Sequence, residues 1–388
     1  MPEDGGDRLT IALCGDLMIG RGIDQVLPDP CPPHLHERYV RDARDYVELA
    51  ERASGPLARP VGLDYPWGDA LGELSSFAPE AFVVNLETAL TRCEDAWPHK
   101  GINYRASPEN ARMLREADVT CCALANNHVL DWGHGGLRDT LATLDALGVL
   151  HAGAGTTREE AEAPAAITLA GGGRLLVHSF ATGSSGVPEE WAAADARPGV
   201  ALLPDLSEET CRRVVERMHR HRRPGDLVIA SIHWGGTWGY ALAPRQRAFA
   251  HALVSEGGVD VVHGHSSHHP QGIEIHRGRL VVYGCGDLLN DYEGIGGHER
   301  FRAELGVLLL ATLDRAHGTL LRLVMSPTRI ARLQVTRAGP KDTRWLSEML
   351  HREGRDLGTS AVRTDDGRIE LRARGVAEGR ALADGGEP

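Results

Sequence analysis

Along this chain, short runs of unbroken apolar residues alternate with amphipathic segments, and the runs end in polar clusters. Leu9–Cys14, Ala81–Val84, Val119–Leu124, Leu227–Ile232 and Val259–Val262 have the character of strands buried on both faces of a parallel sheet. Between them, apolar residues recur at helical spacing over Glu37–Arg52, 135–147, Leu206–His221 and from Pro244 to about Glu256. Ser107, Pro108 and Glu109 form a helix start, which predicts a helix over about 107–117. Two β-rich arms around Gly171-Gly172-Gly173 predict a hairpin over Ala165–Ala181, and two more strands flank Arg277-Gly278. A meander follows over Glu304–Gln334, then a helix over Arg344–Asp356. The alternation is that of an α/β protein.

The polar clusters sit where such a sheet carries chemistry. Open α/β sheets place their sites at the carboxyl ends of the strands. Here those ends carry Asp16, then Asn85 with Glu87, Asn127 with His128, His233, and His265 with His268. Taken alone, each residue is equally well a helix cap, a turn residue or a satisfied core histidine. Five successive strand ends of this kind instead gather into one pocket, and their mixture of carboxylate, amide and imidazole suits a divalent cation.

Composition narrows the picture further. The 388 residues carry a formal net charge of -12, which repels nucleic acid phosphates, anionic membranes and polyanionic substrates, so neither nucleic acid nor membrane is an expected partner. No run approaches the ~18 apolar residues of a membrane span, and Met1–Asp7 is acidic where a signal peptide is basic, which predicts a cytoplasmic protein. Seven cysteines without CxxC spacing read as buried free thiols. One large domain with decorations is expected, with disorder confined to residues 1–8 and a charged, Gly-rich tail after about 360 to which no function is assigned.

The ordered motifs Gly15-Asp16-Leu17-Met18, Asn85-Leu86-Glu87, Ala125-Asn126-Asn127-His128, His233-Trp234-Gly235 and Gly264-His265-Ser266-Ser267-His268 resemble the CapA-like, poly-γ-glutamate capsule biosynthesis branch of the calcineurin-like metallophosphatases. The resemblance spans roughly residues 9–315. It implies a four-layer α/β/β/α sandwich over 9–335; the chain's own pattern adds an insertion at about 28–66 covering the site and a C-terminal helix and tail over 336–388. It implies metal-shell roles for Asp16, Glu87, Asn127, His233 and His265, an acid/base role for His128, and a ligand or neighbour role for His268. Met18 stands where these enzymes usually carry an imidazole ligand, and Asn85-Leu86-Glu87 replaces their Gly-Asp-x-x-Asp. Fewer nitrogen ligands favour a single ion such as Ca²⁺, with Mn²⁺, Zn²⁺ and Fe²⁺ as alternatives. No nucleotide cofactor is expected.

Two histidines have carboxylate-rich neighbourhoods: His128, with Asp131 and Asp16 near, and His298, close in sequence to Asp287 and Asp291. A carboxylate fixes the tautomer of a catalytic imidazole. Two such bases on opposite faces of a carbon would invert it, with Trp234, Trp238 and Tyr240 as an aromatic wall and Asn290 as a further substrate contact. Within the family this resembles the lasso-peptide epimerase type, acting on a C-terminal aromatic residue of a peptide, with or without a peptide-presenting partner protein. The alternatives are a phosphoester or amide hydrolase acting on a peptide or small molecule, a capsule biosynthesis accessory, and a binding module.

Overall fold

Leu9, Ile11 and Leu13 on one side of the first strand, and Ala12, Cys14 and Leu17 on the other, are all fully buried. A strand apolar on both sides must be covered twice, and the computed structural model, which describes residues 8–374, shows by what. The first sheet runs from edge to edge through Thr359–Arg363, Ile369–Ala373, Leu320–Ile330, Leu305–Asp314, Arg8–Leu17, Ala81–Leu86, Cys121–Ala123 and Leu150–Ala152. Its last four strands are parallel; the others form an antiparallel meander.

The second sheet runs through Leu202–Leu203, Arg174–Thr182, Leu227–His233, Val261–His265, Arg279–Val282 and Ile273–His276, with Ala165–Thr168 beside Arg174–Thr182. Leu9, Ile11, Leu13 and Val83 pack between the sheets against Val177, Ile229, Val261 and Leu280. The other face of the first sheet packs on Leu74, Leu114, Leu137 and Leu144, and the other face of the second on Val214, Met218, Phe249 and Leu253. These layers make the expected α/β/β/α sandwich. Burying one such leucine contributes about 1.5–3 kcal/mol.

Most predicted elements are present with shifted ends. The first insertion helix begins at Arg44, not Glu37, and ends at Ser54. Residues 107–117 form a 3-10 turn, Asn110–Arg112, running into a short helix, Met113–Glu116. The helix expected from Arg344 begins at Pro340 and ends at Gly354. Ser207 caps Glu208–His221 by accepting from the Thr210 amide.

The tail is the larger correction. Thr359–Arg363 and Ile369–Ala373 pair with each other and, through Leu323–Met325, join the first sheet. The expected N-terminal disorder falls outside the described residues except at Arg8, which opens the first strand. Among the described residues no helix is long and apolar enough to cross a membrane. All seven cysteines are free, six of them buried.

Candidate metal centre

Gly15 sets the geometry of the site. A Cβ there would stand 2.0 Å from Gly286 O and 2.8 Å from Cys285 Cβ, so only glycine lets the end of the first strand touch the strand Asp287–Leu289. The Asp16 amide then donates to Gly286 O at 3.1 Å, and Asp16 lies in parallel register with Asp287. Both carboxylates are buried.

Around Asp16 the other strand ends converge. Asn85 Nδ2 donates to Asp16 Oδ1 at 2.7 Å and, at 3.4 Å, to Glu87 Oε2. Asn126 Nδ2 donates to Asn85 Oδ1 and Leu86 O, while its own carbonyl accepts from the amides of His128 and Val129. That turn presents Asn127 and His128 to the cluster. Asn127 Oδ1 is 2.9 Å from His233 Nε2, and Glu87 Oε1 lies 3.7 Å from His128 Nε2 and 3.8 Å from His233 Nε2. The expected metal-shell residues are thus brought together. Two donor groups share Asp16, one completed by His233 and His265 and the other by His268 and Asp287.

Whether a cation fits can be read from the imidazole tautomers. His263 Nε2 is 2.8 Å from Cys14 O, which only accepts, so this nitrogen carries the proton. Burial pushes His263 down to about 4, leaving Nδ1 an acceptor for the Ser231 hydroxyl at 3.0 Å. Ser231 Oγ must then accept from His265 Nε2 at 2.9 Å, which leaves His265 Nδ1 with a bare lone pair. If His233 Nε2 donates to Asn127 Oδ1, its Nδ1 also faces His265 Nδ1 bare, at 2.8 Å. Two facing lone pairs repel unless a cation shares them. Asp16 Oδ2 has no hydrogen-bond partner among the described residues. Burial and then the Asp287 charge push Asp16 up to about 7, and burial with Asp16 raises Glu87 as well. The donor set fits a divalent ion.

The His128 environment is more elaborate than expected. Its Nδ1 lies 2.6 Å from Asp131 Oδ2, which also accepts from the Tyr104 amide at 2.6 Å. Lys100 bonds Asp131 Oδ1 and Asn127 O, and its Nζ is 3.0 Å from His128 Nδ1. Burial first pushes His128 down to about 4, with Asp131 opposing and Lys100 assisting. Sequence reasoning missed Lys100, although it is one of only two lysines among 42 basic residues.

The second expected pair is rearranged. Asp287 bonds His268 Nδ1 at 2.9 Å and Asn290 Nδ2 at 2.7 Å, while Asp291 binds the buried Arg21 through Nε at 3.0 Å and through Nη2. His298 is exposed and stacks on Trp238 at 3.9 Å instead of meeting a carboxylate. Burial opposes protonation of His268, but Asp287 and Asp16 outweigh it and raise its pKa. His268 with Asp287, not His298, is therefore the second imidazole–carboxylate pair.

The aromatic wall also contracts. Trp234 is buried beneath the helices of the second sheet, its indole donating to Tyr283 O at 2.9 Å, because Gly264 leaves room for it. Tyr240 is half-buried against His269 and Phe301. Trp238 alone of the three lines the cavity of about 820 Å³ beside the cluster, together with His268, Asn290, Tyr292 and His298. Asn290 spends its amide on Asp287 and its carbonyl on the Tyr292 amide. The insertion forms the opposite wall through Tyr39, Tyr46 and Leu49. Three of the four exposed large apolar side chains among the described residues, Tyr39, Ile102 and Ile295, stand at its rim.

Met18 is buried, its sulfur 3.6 Å from the Tyr292 hydroxyl. Arg21 ties insertion to centre, since it also donates to Glu37 and to the Tyr46 hydroxyl, each at 2.9 Å.

Comparison with known proteins agrees with this architecture. The model of the family "Bacterial capsule synthesis protein PGA_cap" matches residues 10–292. A "probable polyglutamine synthesis accessory protein" of Mycobacterium tuberculosis strain H37Rv is 46% identical over 366 residues, which cover 94% of this chain and 96% of that one. The "Capsule biosynthesis protein CapA" of Bacillus anthracis is 23% identical over 290 residues, covering 74% and 60%. The "PGA biosynthesis protein CapA" of Bacillus subtilis is 26% identical over 285 residues, covering 74% and 64%. With the family's motifs assembled at one sheet edge, this chain belongs to the bacterial capsule synthesis PGA_cap family, the CapA-like branch of the calcineurin-like superfamily.

Proposed function

We propose that this chain is a metal-dependent hydrolase that trims or releases an amide-linked poly-amino-acid chain, a reading supported by a relative named as a polyglutamine synthesis accessory protein. The observation that carries this reading is His128, pinned through Nδ1 by Asp131 and presenting Nε2 3.7 Å from Glu87 at the margin of the Asp16 cluster. A divalent ion held by Asp16, His233 and His265, with Glu87 and Asn127 bordering it, would supply Lewis acidity toward the scissile carbonyl.

The chain's own residues do the rest. Asp131 and Tyr104 fix the imidazole, so the proton moves at Nε2. Lys100 bonds Asp131 Oδ1, leaving Oδ2 to the imidazole. The cavity walled by Trp238 and the insertion receives residues flanking the bond. A net charge of -12 favours an uncharged amide polymer over a polyanion.

A second reading rests on the pairs His128–Asp131 and His268–Asp287, both beside the Asp16 cluster: inversion at the Cα of a C-terminal residue. One experiment separates the two. The metal-loaded protein is incubated in D₂O with glutamine oligomers, a C-terminal tryptophan peptide and a generic phosphate ester. New amine termini support amide hydrolysis, phosphate release alone transfers the reading to phosphoesters, and deuterium at Cα without cleavage replaces it with epimerisation. No turnover of any substrate leaves a binding accessory.

A further inference from the structure

A second cluster of metal-binding side chains lies at the edge of the second sheet. His251 projects from the helix Pro244–Ser255, and Glu274 and His276 stand two residues apart, hence on one face of the edge strand Ile273–His276. His251 Nε2 is 3.0 Å from Glu274 Oε2, and the two imidazole rings stack 3.8 Å apart with 6° between their planes. One donor atom from each of the three residues lies within 4.8 Å of the others.

Register separates this cluster from the principal centre. His276 pairs with Arg279, next to Leu280, which pairs with Val261 at the start of the strand that ends in His265. The cluster is therefore toward the amino ends of the parallel strands, whereas Asp16, His233 and His265 are at carboxyl ends.

Glu274 is already aimed. It is buried, Arg247 Nη2 donates to its Oε1 at 2.8 Å, and the Tyr283 hydroxyl donates to its Oε2 at 2.7 Å. Outer hydrogen bonds of this kind orient a ligating carboxylate. Both histidines are half-buried, so a fourth position faces water. Ser255 Oγ lies 3.4 Å from His276 Nε2. Parallel stacking keeps the two sets of nitrogen lone pairs in separate planes, so one ring turns about χ2 for both to meet one ion.

We propose that His251, Glu274 and His276 form a second, peripheral site for a divalent transition metal, tying the helix Pro244–Ser255 to the edge strand. Two imidazoles and one carboxylate select Zn²⁺, Ni²⁺ or Cu²⁺ over Mg²⁺ and Ca²⁺, and three protein ligands leave one position open. An ion bound only by the folded chain raises its melting temperature.

The test counts ions on the full chain. After equilibration with Zn²⁺ and removal of free metal, the His251→Asn/His276→Asn variant holds one ion fewer than the parent and loses part of its zinc-dependent rise in melting temperature. Equal ion counts overturn the site. A second measurement guards against misfolding of that variant. In an Asp16→Asn/His233→Asn background, Co²⁺ gives visible absorption bands of a four-coordinate site, and adding His276→Asn abolishes them. Absence of bands in the background variant, or their survival after His276→Asn, overturns the proposal.

Discussion

Asp16 and Asp287 occupy paired positions on adjoining parallel strand ends, yet Asp287 has both oxygens hydrogen-bonded, by His268 and Asn290, whereas Asp16 Oδ2 has no hydrogen-bond partner among the described residues and lies 3.8 Å from His268 Nδ1. Two buried carboxylates with one free oxygen make the metal-free protein electrostatically strained. Asp16→Asn should therefore raise the melting temperature of the metal-free protein by about 1 °C, with about 1 kcal/mol of repulsion removed. The same change should abolish stabilisation by added Zn²⁺ or Mn²⁺ at this centre. Calorimetry with and without metal checks both; a lower metal-free melting temperature would contradict the reading of Asp16.

His128→Ala should lower kcat/KM by about 10²–10⁴-fold with little change in metal content at the principal centre. Lys100→Met is expected to cost less and to act differently. Lys100 lowers the His128 pKa, so its removal should move the acid limb of the kcat/KM profile to higher pH. A profile that keeps its position would show that Lys100 does not act through His128.

Gly15→Ala has no room for its methyl group. The ends of the first strand and of Asp287–Leu289 must part, separating Asp16 from Asp287. Weakened metal binding, together with a loss of about 1–3 kcal/mol in chemical unfolding, is expected. Unchanged metal affinity would mean that this contact does not set the site.

Much of the centre was legible because continuous apolar runs end abruptly in polar residues, and Asp16, Glu87, Asn127, His233 and His265 each follow such a run. What remained hidden depends on contacts between distant segments. Asp287 was matched by proximity in sequence to His298, but the parallel pairing of Asp16 with Asp287 turns it toward His268. Lys100 lies in a loop with no periodicity to mark it. Trp234 follows His233 directly, but the gap left by Gly264 draws it into the core under the helices. The last two strands carry only Ala361, Ile369 and Leu371 as buried apolar residues, too few to stand out from their charges.

Stability should also respond to pH at a position remote from the centre. His178 is buried on the strand Arg174–Thr182, stacked on Phe180, with neither ring nitrogen partnered among the described residues. Burial first, then His221 and Arg217, push it from 6.5 down to about 3. Its native form is neutral, so its contribution is complete above the unfolded pKa and is lost as pH falls toward 3. Between pH 6 and 4 the parent should lose about 1.4 kcal/mol more per pH unit than His178→Phe. Parallel stability curves for the two proteins would refute this.

The C-terminal hairpin has a consequence for shortened versions of the chain. Ile369–Ala373 pairs with the Leu323–Met325 backbone and helps cover a core that includes Leu323 and Met325. A protein ending at Gly358 would leave those amides and carbonyls as an open template beside apolar side chains, the arrangement that recruits a second chain edge to edge. Such a truncation retains every residue of the metal centre and yet should self-associate, so light scattering on it reports the hairpin's role as a guard against aggregation.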